Sequence, residues 1–259
     1  MLRGKKALVT GSTSGIGLAI AKSLAEQGCH IILNGFGEAK AIEDLQRDMA
    51  RDYKVDVTFE GVDLTDVSGM EAMAKRLDQK GGVDILVNNA GVQFVNPIET
   101  FPVAKWDLII ALSLSAPFHL TRLLLPAMRQ RKWGRIVNIA SAHALVASPF
   151  KSAYVSAKHG LAGLTKVVAL EAAEDGVTCH ALCPGYVHTP LVDAQIDDTA
   201  KARGITREAV IRDVMLGPQA TKKFVRTDEI GGFVVFLCSA SADSITGAVM
   251  PIDGAWTSQ

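Results

Sequence analysis

The chain has 259 residues, 48% of them hydrophobic and 21% charged, and its 27 basic and 27 acidic side chains give a formal net charge of zero. That length suits one α/β domain or two small ones, with a core that needs neither disulfide nor metal, and the absence of a linker or repeat favours a single domain, 1–259. Balanced charge excludes a binder of nucleic acid or membrane surface that relies on excess positive charge. Met1 to Lys6 leads into an apolar strand without a secretory core, and no apolar run is read as reaching membrane-span length. The expected location is cytoplasmic.

Short β-branched runs alternate with helical patterns, predicting strands at 7–10, 30–34, 57–62, 85–88, 135–140, 177–182 and 248–252. Most are near-continuous apolar runs rather than alternating ones, as in a parallel sheet covered on both faces. The expected fold is a Rossmann-type doubly wound α/β sheet of about seven strands, with a small helical lid. The first helix sets Ile16, Ile20 and Leu24 on one face and stops at Gly28. Cys179 and Cys183 fall in one strand about 13 Å apart by strand rise, too far for a disulfide or a shared metal. The six histidines show no zinc-ligand spacing. Residues 191–225 are polar and broken by Gly204, Gly217 and Pro218, and read as a substrate lid or a variable surface insertion.

The first strand feeds Thr10-Gly11-Ser12-Thr13-Ser14-Gly15-Ile16-Gly17 and then a helix. Glycines there allow a tight turn and close approach to a pyrophosphate, and the helix start offers free N–H groups. After the second strand, Asn34-Gly35-Phe36-Gly37 supplies no arginine for a 2′-phosphate and no carboxylate for a ribose, which favours NAD. Asp63 reads as an acceptor for an adenine amino group or as a cap before Thr65.

Tyr154 and Lys158 are spaced to share a helix face, where a cation lowers the phenol pKa towards that of a working base. Ser141, ending the fifth strand, places a hydroxyl where it can polarise a carbonyl. Gln93, His143, Lys151 and Gln195 fall on loops that the fold brings around this centre. One cation, one imidazole and two amides suit a small carboxylate. Tyr186 and Trp256 read as walls for a small apolar group.

In chain order, the glycine turn, Asn88-Asn89-Ala90-Gly91, Ser141 with Tyr154-x-x-x-Lys158, Pro184-Gly185, and Ile245-Thr246-Gly247 with Asp253-Gly254 resemble the short-chain dehydrogenase/reductase family over the whole chain. The resemblance implies Tyr154 as general acid/base, Ser141 as carbonyl orienter, and Lys158 as ribose ligand and tuner of Tyr154. It implies a dinucleotide against Gly11, Thr13, Ser14, Gly15, Ile16 and Gly17, then Phe36, Asp63, Leu64, Asn89, Ala90 and Gly91. Pro184, Gly185, Val187 and Thr189 would lie near its carboxamide. A homotetramer is also implied.

Two departures stand out. Ser113 occupies the family's usual asparagine position, which predicts a slowed proton relay. The strings around Phe36, His143, Lys151, Trp106 and Thr189 resemble the branch of the family that interconverts D-3-hydroxybutyrate and acetoacetate, and Tyr186 stands where that branch usually has tryptophan. Within that branch Gln93, His143, Lys151 and Gln195 would bind the carboxylate. The rivals are a 3-oxoacyl thioester reductase using NADPH and a catalytically silent NAD-binding sensor.

Overall fold

The computed structural model describes residues 2–189, 192–193, 196–197, 200–201 and 204–258. Seven strands, β1 (Lys6–Val9), β2 (His30–Leu33), β3 (Val57–Phe59), β4 (Ile85–Asn88), β5 (Gly134–Ile139), β6 (Val177–Pro184) and β7 (Val249–Ile252), form one parallel sheet. Its order is β3-β2-β1-β4-β5-β6-β7. The sheet runs outward in both directions from β1 and β4, so the carboxyl ends of these two strands flank a crevice at the topological switch point.

Strand alternation splits the core between the two faces. Ala7 and Val9 join Ile31, Val137 and Leu182 under helix α1 (Gly15–Glu26) and helix α6 (Thr227–Leu237), which contribute Ile20, Leu24, Ile230 and Val234. Leu8, Ile32, Leu86 and Ile136 point the other way. They meet Met70, Met73 and Leu77 of α3 (Val67–Gln79), and Leu120 and Met128 of α4 (Val103–Gln130). α5 (Ser152–Ala172) closes this face with Val168 and Ala172, while α2 (Ala39–Tyr53) lies beyond α1 and packs Met49 into the first core. Every residue of β5 and β6 is buried, including the polar Arg135, Asn138, Thr178 and His180, as expected of central strands in a sheet covered on both faces. Truncating Leu24 or Ile230 to alanine costs about 2–5 kcal/mol of stability.

Helix α4 corrects one expectation. It runs for 28 residues and is long and apolar enough to cross a membrane by length and composition. Its apolar side packs on the sheet through Leu120, Leu124 and Met128, so the same pattern serves a core helix here. A π turn at Ala111–Ser115 interrupts it.

The four cysteines are buried free thiols, Cys179 and Cys183 both within β6. Burial first raises Cys29, Cys179 and Cys238 to about 12 and Cys183 to about 11, so none is a nucleophile at neutral pH.

A parallel bridge between Val187 and Val225 ties the base of the long segment between β6 and α6. Arg207–Ala209 and the π turn Val210–Met215 form one of its helical pieces. Ile196, Val210 and Met215 make a small apolar cluster against Tyr186, Val192 and Phe224. The segment therefore carries a core of its own beside the crevice.

Candidate active site

The glycine turn is shaped by close approach. Gly11 and Gly15 have positive φ values of 61° and 56°. A Cβ on Gly17 would collide with the Gly11 carbonyl and the Asn89 amide. Asn89 donates from Nδ2 to the Thr10 and Gly11 carbonyls at 2.9 and 3.1 Å, bracing the turn against the end of β4. Thr10 Oγ1 accepts from the Asn89 and Ala90 amides at 2.9 and 3.0 Å. Ser14 precedes α1 in extended conformation without a side-chain cap, so among the described residues its hydroxyl leaves the first-turn N–H groups available to a ligand. This backbone cradle, open at the switch point, fits the pyrophosphate of a dinucleotide.

At the end of β2, Asn34 donates to the Glu60 and Val62 carbonyls, and Ser12 bonds back to Asn34. Thr13 Oγ1 donates to the Phe36 carbonyl at 2.9 Å, leaving the Phe36 ring exposed. Of the two readings of Asp63, the local one is realised in part. One carboxylate oxygen accepts from the Thr65 amide and hydroxyl, both at 2.8 Å, and these bonds hold the acid below its ordinary pKa. Lys40, the first cation after Phe36, is paired with Asp44.

A cavity of about 310 Å³ continues from this cradle over the carboxyl ends of β4, β5 and β6. Ser14, Gly15, Ile16, Asn89 and Gly91 line one end. Pro184, Gly185, Val187 and Thr189 line the far side, and Ser141, Tyr154 and Lys158 the floor. Ser141, extended after β5, accepts from the His143 amide at 3.2 Å and hydrogen-bonds Tyr154. Lys158 is buried; its Nζ donates to the Ile139 carbonyl at 2.7 Å and lies 5.5 Å from the Tyr154 ring centroid.

The pKa directions correct one expectation. Burial raises the Tyr154 phenol above its ordinary value, with the Ser141 bond opposing. Burial also lowers Lys158 to about 8. In this structure the lysine spends its hydrogen bond on a carbonyl, and desolvation sets the direction at Tyr154.

Ser113 lies within the π turn of α4, buried, its hydroxyl without a partner among the described residues. A Cβ on Gly91 would sit 3.1 Å from that hydroxyl and 4.0 Å from Lys158 Nζ. The π turn thus brings a polar group to the back of the lysine.

The other end is built from side chains. Gln93, His143, Lys151, Tyr186 and Trp256 all reach the cavity. Lys151 Nζ is 3.2 Å from His143 Nε2 and 3.4 Å from the Tyr186 hydroxyl. Burial first, then the Lys151 charge, pushes His143 down to about 4, so the imidazole is neutral and accepts at Nε2. Tyr186 stacks flat on Trp256 at 5.5 Å, and His143 meets Trp256 edge-on at 5.1 Å. The described wall contains two lysines and no carboxylate.

Gln195 lies outside the described residues. Gly11, Thr13, Gly17, Phe36, Asp63 and Ala90 are off the cavity wall, most of them shaping the turn and strand ends beside it, and the Leu64 side chain belongs to the core. Sequence reasoning missed Val92, Ala140 and Val192 on the wall, and the Ile139 carbonyl that holds Lys158. It also missed Gln219, fully buried, whose Oε1 accepts from the Tyr186 amide at 2.5 Å and whose Nε2 donates to the Lys223 carbonyl at 2.6 Å. A glutamine in a polar loop gives no signal of such a post. Asp253 was legible only as a motif; it accepts from the Ala255 and Thr257 amides, fixing the turn that presents Trp256.

A dinucleotide cradle opening onto a serine, a tyrosine and a lysine defines an oxidoreductase site for a nicotinamide cofactor. The short chain dehydrogenase family model matches residues 5–200, and the chain belongs to that family. It is 54% identical to a D-beta-hydroxybutyrate dehydrogenase of Rhizobium meliloti, over 98% of this chain and 99% of that one. It is 51% identical to the D-beta-hydroxybutyrate dehydrogenase of Cupriavidus necator over the full length of both. Among solved structures, the L-sorbose reductase of Gluconobacter frateurii, complexed with NADPH and L-sorbose, superposes with a TM-score of 0.93 at 31% identity. That match covers 99% of this chain and 98% of the reductase.

Proposed function

We propose that this short-chain dehydrogenase reversibly oxidises D-3-hydroxybutyrate to acetoacetate, using NAD. The observation that carries the substrate is Lys151. Its cation reaches a cavity with no carboxylate on the described wall, and its hydrogen-bonding neighbours are the neutral imidazole of His143 and the hydroxyl of Tyr186. An uncompensated ammonium beside the reacting hydroxyls suits a short hydroxy acid. Gln93 and His143, with Gln195, complete the carboxylate clamp in this reading, and the Trp256 ring bounds the methyl end. The two full-length relatives above support the same substrate.

In oxidation Tyr154, as phenolate, takes the proton of the substrate hydroxyl while Ser141 holds that oxygen. Bound NAD supplies the hydride acceptor at its nicotinamide carbon. Lys158 would hold the ribose, and its cation beside the Tyr154 ring would favour the phenolate against the burial that raises the phenol. The proton then leaves past Lys158 towards Ser113 and the π turn. NAD is favoured over NADP because residues 34–37 carry no cation and Lys40 is paired with Asp44. The segment over residues 191–225 acts as the lid of a single catalytic domain. A homotetramer in the cytoplasm completes the reading, for which size-exclusion chromatography with light scattering is the check on assembly.

The test is NADH absorbance with NAD or NADP and either isomer of 3-hydroxybutyrate. Turnover with NAD and the D-isomer alone is expected. Preference for NADPH and a 3-oxoacyl thioester would transfer the reading to a reductase, and cofactor binding without any turnover would leave a sensor.

A further inference from the structure

The substrate end of the cavity holds a hydroxyl for which a purely apolar wall has no use. Tyr186 follows Pro184-Gly185 at the end of β6, and its position is fixed on three sides. Its amide donates to Gln219 Oε1, its carbonyl accepts from the Val225 amide at 2.9 Å, and its ring lies within 5° of parallel to Trp256. The phenol oxygen is thereby presented to Lys151 Nζ at 3.4 Å.

An ammonium has three protons and accepts nothing. One proton of Lys151 is directed to His143 Nε2 and a second to the Tyr186 oxygen. Both acceptors are anchored, so the direction of the third proton is fixed. A phenol that accepts from an ammonium also keeps its own proton to donate. We propose that the Tyr186 hydroxyl is a carboxylate ligand and the positioning group of Lys151. The remaining N–H of Lys151 and the O–H of Tyr186 then offer adjacent donors to the two oxygens of one substrate carboxylate. Neither aromatic alternative does both jobs. Phenylalanine has no polar atom, and the indole N–H of tryptophan donates but cannot accept from the lysine. The inference rests on the hydroxy-acid reading and sharpens its anion end.

The experiment compares wild type with Tyr186→Phe and Tyr186→Trp, the second keeping an aromatic ring to stack on Trp256. Two quantities are read: KM for D-3-hydroxybutyrate, and the calorimetric dissociation constant of butyrate for the enzyme–NAD complex. Butyrate has the carboxylate but not the reacting hydroxyl. Both constants are expected to rise by the same factor, about tenfold for loss of a charge-assisted hydrogen bond. KM for NAD stays fixed, and kcat moves far less than KM. Unchanged butyrate affinity in either folded variant overturns the proposal. So does a joint fall of kcat and of NAD affinity, which would mark a displaced ring. Wild type that binds butyrate but does not oxidise the hydroxy acid refutes the function reading instead and leaves the anion site standing.

Discussion

At the dinucleotide end of the cavity the fitting surface is backbone: a turn with two positive-φ glycines, free N–H groups at the start of α1, and an asparagine spent on bracing carbonyls. At the substrate end it is side chain, gathered from five places. Gln93 follows β4, His143 follows β5, Lys151 precedes α5, Tyr186 follows β6, and Trp256 lies beyond β7. A backbone cradle recognises what every dinucleotide shares. Side chains from separate loops are free to change one at a time, so specificity resides there. Ser141, Tyr154 and Lys158 stand between the two ends and serve both.

Tyr154→Phe breaks the centre and spares both ends. It removes the proton acceptor but keeps the ring, so kcat should fall by about 10³-fold while NAD and butyrate still bind. The next largest effect concerns stability and belongs to the substrate end together with the sheet interior. His143 and His180, both buried, are held down at about 4, chiefly by desolvation. The unfolded chain takes up these protons near the ordinary histidine value, whereas the folded chain does so only near pH 4. Stability is therefore fully present above about pH 6.5 and is lost as the pH falls through that window, by up to about 3 kcal/mol per imidazole. Denaturant unfolding across this range should show the slope, and His143→Gln should remove about half of it.

Two substitutions then separate the ends. Lys151→Ala should raise KM for the hydroxy acid about 30-fold and leave KM for NAD unchanged. Gly17→Ala should do the reverse. Its methyl group meets the Gly11 carbonyl and the Asn89 amide, so NAD affinity should fall about tenfold and stability by about 1–3 kcal/mol. If either variant moved both Michaelis constants equally, the two ends would not be independent.

The same contrast governs what the sequence reveals. The seven strands lie within three residues of their expected ends, because near-continuous β-branched runs and helical periodicity are local signals. The glycine turn was legible for the same reason. Lys151 and His143 were legible through residue type and proximity to Ser141 and Tyr154. The posts holding them were not. Gln219 beneath Tyr186, the Ile139 carbonyl on Lys158 and the span of α4 depend on tertiary placement. The pKa direction at Tyr154 was misread because the i, i+4 spacing advertises a cation but not the burial that outweighs it.

The smallest expected effect lies behind the centre, at Ser113. The π turn takes one extra residue into the helical turn, and Ser113 Oγ is left buried near Gly91 and Lys158 without a partner among the described residues. A serine hydroxyl reaches less far than an asparagine amide and offers one donor where the amide offers two. In the proposed relay a water at this point would be held less firmly by the serine than by an asparagine, so proton exit past Lys158 should be slower than with asparagine. Burial lowers Lys158 to about 8, so the shortfall should be felt most below that value, where the lysine stays charged. Ser113→Asn should therefore raise kcat a few-fold at pH 6–7, with little change at pH 9. It should slow turnover in deuterium oxide less than in the parent. Equal gains at every pH would mean that the side chain acts through packing of the π turn, and an unchanged kcat throughout would take Ser113 out of the relay.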